Sequence, residues 1–120
     1  MTQHCAPELV ARCFAARTAT HLAHLTTKSY AAHVALQGFY EGLIDPVDAF
    51  AECYQGVYGV FSSFPSVPVP KGELLPIKEL RDWLASNREQ AGRGQPELEN
   101  LLDEITSVCD RAIYKLVNLK

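Results

Sequence analysis

Six polar residues in the stretch "HVALQGFYEGLIDPVDAFAE", positions 33 to 52, are of types that could hold a cation together. On a continuous helix turning about 100° per residue, His33, Gln37, Asp48, Glu41, Glu52 and Asp45 fall within about 120° of arc. Leu36, Phe39, Leu43, Phe50 and Tyr54 gather on the far side, so the run is amphipathic with its acids on one stripe. The preceding run adds His21 and His24, three residues apart and on neighbouring surface of a helix. Imidazole and carboxylate together suit Fe(II), Mn(II) or Zn(II). Carboxylates offset the charge of the cation, and a neutral imidazole adds a directional ligand held through its second nitrogen. The competing reading is a solvated face, because acidic side chains usually meet water. His4 falls at the chain end, where fraying is expected.

These residues need long helices to position them. The first helix is expected to start near Ala6, with Pro7 in its first turn and Glu8 at the positive end of its dipole. Leu9, Val10, Cys13, Phe14, Ala19, Leu22 and Leu25 form its apolar stripe, and it ends near Thr27 or Lys28. The second begins near Ser29 and runs toward Tyr58. Pro46 interrupts it in one of two ways. Either the helix kinks there, or it stops and Asp45 caps a new one with Pro46 at its first position. Gly56 and Gly59 are the candidate stops at its far end.

Residues 62–76, "SSFPSVPVPKGELLP", carry four prolines and read as an extended crossover. A shorter helix follows from about Ile77 to Gln90, with Leu80, Trp83 and Leu84 inward and Trp83 as a core anchor. Pro96 opens the last helix, in which Leu98, Leu101, Leu102, Ile105, Val108, Ala112, Ile113 and Leu116 repeat at helical spacing. No convincing strand is legible. The whole, residues 1–120, is expected to be one all-α domain, a four-helix bundle with one long crossover between helices two and three. Such a connection is that of ferritin-like bundles.

Composition narrows the function classes. With 48% apolar residues, 21% charged residues and a net charge of −3, the chain is ordinary for a globular domain and has no global basic field for nucleic acid. No apolar run approaches a membrane span. The start "MTQHCAPE" lacks the pattern of a signal peptide, so a cytoplasmic location is expected. Cys5, Cys13, Cys53 and Cys109 form no tight ligand pair and read as reduced, mostly buried thiols. The aromatic run "CYQGVYGVF" reads as core or interface packing.

The pattern "HLAHLTTKSYAAHVALQGFYEGLIDPVDAFAE" resembles the ferroxidase region of the Dps family, the mini-ferritins. That family spaces a histidine, a second one twelve residues on, an aspartate fifteen beyond it and a glutamate four further. Those spacings select His21, His33, Asp48 and Glu52 here, and "LLDEITSVCDRAIYKL" is similar to the family's last helix. No Glu-x-x-His, the motif of ordinary ferritin-like di-iron proteins, occurs. Where the family carries an aspartate four residues after the second histidine, this chain has Gln37, with Glu41 and Asp45 as candidate substitutes. The tryptophan after the first histidine is Leu22, and the basic arm used for DNA is absent, so DNA binding is not expected. The stretch also resembles small ferritin-like proteins of tailed bacteriophages, and more nearly.

The resemblance implies iron or another divalent metal as the bound ion and a candidate ferroxidase activity. It implies a homo-oligomer, a dimer or a hollow dodecamer. His21 and His33 of one subunit would then meet Asp48 and Glu52 of another. The alternative is a non-catalytic phage module that binds a host protein or a small ligand, within the bacterial host.

Overall fold

The computed structural model describes residues 5–120, so the reading of His4 lies outside the described residues. Five helices follow one another: α1 (Cys5–Thr26), α2 (Tyr30–Gly42), α3 (Ile44–Tyr58), α4 (Leu75–Gly92) and α5 (Pro96–Asn118). No strand occurs among the described residues.

Local chemistry sets most boundaries. Ser29 caps α2, its hydroxyl accepting from the Ala32 amide at 3.1 Å. Gly59 ends α3 with φ 98°, a left-handed backbone that glycine adopts without strain. The helix therefore passes through Gly56, the other candidate stop. Pro96 opens α5, as its missing N–H predicts.

At Pro46 the structure favours a kink: α2 and α3 meet end to end at Leu43. Leu43 keeps helical angles (φ −76°, ψ −28°), its amide donates to the Phe39 carbonyl, and its own carbonyl accepts from Val47. Asp45 makes no capping bond at the start of α3. The expected Asp45 cap is thus corrected. Proline removes the one bond that would reach Gly42, and the chain stays helical around that gap.

The helices form a bundle in which α1 packs on α2 and α4, and α5 packs on α2, α3 and α4. The Cys5 thiol reaches the Asn87 carbonyl at 3.8 Å and the Arg12 guanidinium lies 5.2 Å from the centre of the Trp83 ring. Those pairs run α1 antiparallel to α4. The Arg81–Asp110 and Arg88–Asp103 ion pairs run α4 antiparallel to α5. Residues 59–74 connect α3 to α4, and α4 begins two residues earlier than the sequence pattern places it.

Leu36, Phe39, Leu43, Phe50 and Tyr54 meet Leu98, Leu102 and Ile105 in one buried cluster with Leu9, Cys13, Ile77 and Leu84. Trp83 packs against that cluster only partly buried, a correction to its reading as a core anchor. A larger correction concerns α1. Phe14, Leu22 and Leu25, expected to face inward, are 43%, 59% and 67% exposed. Its buried line runs instead through Leu9, Val10, Cys13, Ala16, Thr20 and His24. Cys13 and Cys109 are buried, Cys5 is half-buried and Cys53 is exposed, so only part of the thiol expectation holds.

Candidate functional site

Helices α1 and α2 form an antiparallel hairpin, and His24 and His33 lie almost equidistant from its turn. The register therefore sets them opposite each other. The Nδ1 of His24 is 2.7 Å from the His33 carbonyl, and the Nδ1 of His33 is 3.0 Å from the His24 carbonyl. A carbonyl only accepts, so both Nδ1 atoms donate and both rings carry their proton there. The rings stack at 3.7 Å. His21 stacks on Tyr40 at 4.0 Å and meets the edge of His24 at 5.9 Å. Tyr30 continues the array beyond His33.

The sequence places His24 only on the same helix surface as His21. It is buried, with its ring against that of His33. The signal that could have found it is the symmetry of positions 24 and 33 about the turn.

Asp48 and Glu52 are exposed on α3, one helical turn apart. Neither makes a hydrogen bond or ion pair among the described residues. Gln37 donates to Glu41 Oε2 at 3.2 Å, so Glu41 is engaged by the residue it was a candidate to replace. The structure brings His21 and His33 into one ring array and leaves Asp48 and Glu52 apart from it. His33 and Asp48 are separated by about 22 Å of helix at 1.5 Å per residue. Within one copy, no three of His, Cys, Asp and Glu among the described residues gather into a group able to hold a metal ion.

The donor chemistry fits a metal in part. His33 has its Nδ1–H held by a backbone carbonyl, which leaves Nε2 as the atom with a free lone pair. That arrangement is the usual one for a ligating histidine. His24 and His33 cannot share one ion, because stacked rings direct their lone pairs along parallel planes rather than toward a point.

The model of a family described as a family of unknown function, DUF5856, matches residues 24–116. The chain belongs to this family. The matched span holds the His24–His33 pair, Asp48 and Glu52, while His21 lies before it. The chain is also 30% identical, over 115 residues, to an uncharacterized 14.6 kDa protein of the mobD-ri intergenic region of Enterobacteria phage T4. That similarity covers 92% of this chain and 87% of the phage protein. No solved structure matches the chain.

A second feature was not legible in the sequence. An apolar groove of about 890 Å³ runs between the second half of α1 and residues 69–73 of the long connection. No helix among the described residues is long and apolar enough to cross a membrane.

Proposed function

We propose that the chain is a phage-type, ferritin-like protein of the Dps kind that binds iron or another divalent metal between two copies. His21 and His33 of one copy supply imidazoles; Asp48 and Glu52 of the other supply carboxylates. The observation that carries this reading is the His33 ring, whose Nδ1–H is fixed on the His24 carbonyl at 3.0 Å while Nε2 stays available. Asp48 and Glu52 support it as carboxylates without partners on an exposed face. The long connection between α3 and α4 is of the kind that ferritin-like bundles use.

A two-fold contact pairs the same patch of each copy, so the beginning of α2 in one can lie beside α3 of the other. Such pairing is what a site split across about 22 Å of helix requires. Fe(II) would be the substrate, oxidised by dioxygen or peroxide and retained as Fe(III). Gln37 supplies no charge where the mini-ferritins place an aspartate, so the site is poorer in carboxylates than theirs.

Metal analysis, chromatographic size and Fe(II) oxidation kinetics on wild type and Glu52→Ala test this. Bound metal, an oligomer and faster oxidation in wild type are expected. Equal and negligible oxidation in both removes the ferroxidase claim. Absence of bound metal together with stability indifferent to chelator removes the metal site altogether.

A second reading is favoured by a separate observation, the apolar groove beside α1. It is a non-catalytic phage module that binds a host protein or small ligand through that groove and needs no metal.

A further inference from the structure

The groove beside α1 is built from small side chains. Ala15, Ala19, Leu22 and Ala23 form one wall, and Val69 and Pro70 of the connection form the other. From Ala15 to Thr26 the wall runs about 16 Å along the helix. A volume of about 890 Å³ lies within the range of small-molecule sites. Three alanines leave a shallow trough rather than separate deep pockets. No aromatic side chain lines it, so it offers no stacking plane for a flat ring.

One end is charged. Lys28 and Lys71 both border the groove, and neither takes part in an ion pair among the described residues. Ser29 follows Lys28 as the cap of α2, so the positive end of that helix dipole adds to the field there. Glu73 is the single carboxylate at the groove, set against two cations.

We propose that this groove binds a single-chain anionic amphiphile, such as a long-chain fatty acid. The flexible tail lies along Ala15, Ala19 and Ala23, and the lysines of the lining, Lys28 and Lys71, supply the positive charge that draws the anionic head. A slender chain fits a trough lined by alanines, whereas an amphipathic helix of a partner protein needs pockets for bulky anchors at turn spacing. This rests on the second reading of function and names its ligand class. It is separate from the proposed metal site, since none of His21, His33, Asp48 and Glu52 lines the groove.

The test is calorimetric titration of the full chain with sodium myristate below its micellar concentration. Saturable one-to-one binding is expected. Lys71→Glu, on the connection outside any helix, is expected to weaken it roughly tenfold, the scale of one charge-assisted contact. Glu73→Gln is expected to tighten it, Ala19→Trp to abolish it by filling the trough, and Glu52→Ala to leave it unchanged. Myristyl alcohol, which has no charge, is expected to bind more weakly and to be insensitive to Lys71→Glu. Absence of saturable myristate binding by wild type overturns the proposal. So does myristate binding that neither Lys71→Glu nor Ala19→Trp alters. Co-sedimentation with phosphatidylglycerol vesicles without binding of monomeric myristate assigns the face to a membrane surface and also overturns it. A stoichiometric host protein that is lost in Ala19→Trp, with no myristate binding, overturns the ligand class while leaving the second reading of function in place.

Discussion

His24 and His33 hold each other across the α1–α2 hairpin by exchanging hydrogen bonds: each ring donates from Nδ1 to the other's backbone carbonyl, at 2.7 and 3.0 Å, with the rings stacked at 3.7 Å. The pair thus staples two helices and fixes the orientation of both imidazoles at once. His24→Ala removes one bond and the stack from a buried position. It is expected to lower stability by about 2 kcal/mol, read from urea denaturation. His33 is half-buried, so His33→Ala is expected to cost less. The double variant is expected to lose less than the two single losses added together, by about 1 kcal/mol, because the stack can be lost only once. Additive losses would show that the rings act separately.

Much of the frame is legible in local sequence chemistry. Ser29 caps α2, Pro96 opens α5, and the proline-rich connection excludes helix, each for a reason that acts within a few residues. The face of α1 was not legible. Its apolar residues spread around the helix, and only its packing on α2 and α4 decides that Ala16 and Thr20 are covered while Leu22 and Leu25 are not. The burial of His24 was not legible for the same cause, since its partner is a backbone carbonyl nine residues away across a turn.

Pro46 withholds one hydrogen bond at the junction where α2 passes into α3 through Leu43. Pro46→Ala returns an N–H to reach the Gly42 carbonyl. The gain in helix propensity exceeds the loss of proline's restraint on the unfolded chain. A net stabilisation of about 1–2 kcal/mol is expected, with increased helical circular dichroism. Destabilisation instead would show that the buried ring of Pro46 contributes more through packing than it removes in hydrogen bonding.

The thiols should separate by reactivity. Burial pushes the Cys109 thiol up to about 12, with Asp110 adding to the rise. Burial also raises Cys13 well above its ordinary value, and the neighbouring Cys109 adds to it. Exposed Cys53 is expected to alkylate first, Cys5 more slowly, and the buried pair only on unfolding, as followed by mass spectrometry. The same shift predicts a pH effect. Below the ordinary thiol value of 9.0 both states keep the proton, and stability is unaffected. Between there and about 12 the unfolded thiol ionises and the native Cys109 does not, so stability falls as pH rises. The slope approaches about 1.4 kcal/mol per pH unit for each such thiol. Flat denaturation midpoints between pH 8 and 10.5 would contradict this.

Gln37 offers a direct probe of the proposed metal site. Its amide donates to Glu41 at 3.2 Å on an exposed face, so Gln37→Asp without metal is expected to cost at most about 0.5 kcal/mol. With metal, the new carboxylate stands one turn from His33 and adds a charged ligand. Calorimetric titration with Zn(II) is expected to show at least about tenfold tighter binding than wild type. Unchanged affinity would mean that this face of α2 does not approach the ion.

Arg93 is the one residue other than glycine with positive φ among the described residues, at 53° just past the end of α4. Glycine commonly takes that place at a helix terminus, and a side chain there costs about 1 kcal/mol. The return on that strain is visible. The Arg93 guanidinium lies 3.8 Å over the Tyr58 ring, and its Nη1 is 3.4 Å from the Tyr54 hydroxyl. These contacts tie the α4–α5 turn to the end of α3. Arg93→Gly removes the strain and the contacts together, so its stability is expected to stay within about 1 kcal/mol of wild type. Arg93→Ala keeps the strain and loses the contacts. It is expected to be less stable than Arg93→Gly by about 1 kcal/mol, measured by urea denaturation at one temperature. Equal stability of the two variants would show that the turn relaxes out of the left-handed conformation once the guanidinium is gone. The tie to Tyr58, rather than the turn itself, would then be what imposes it.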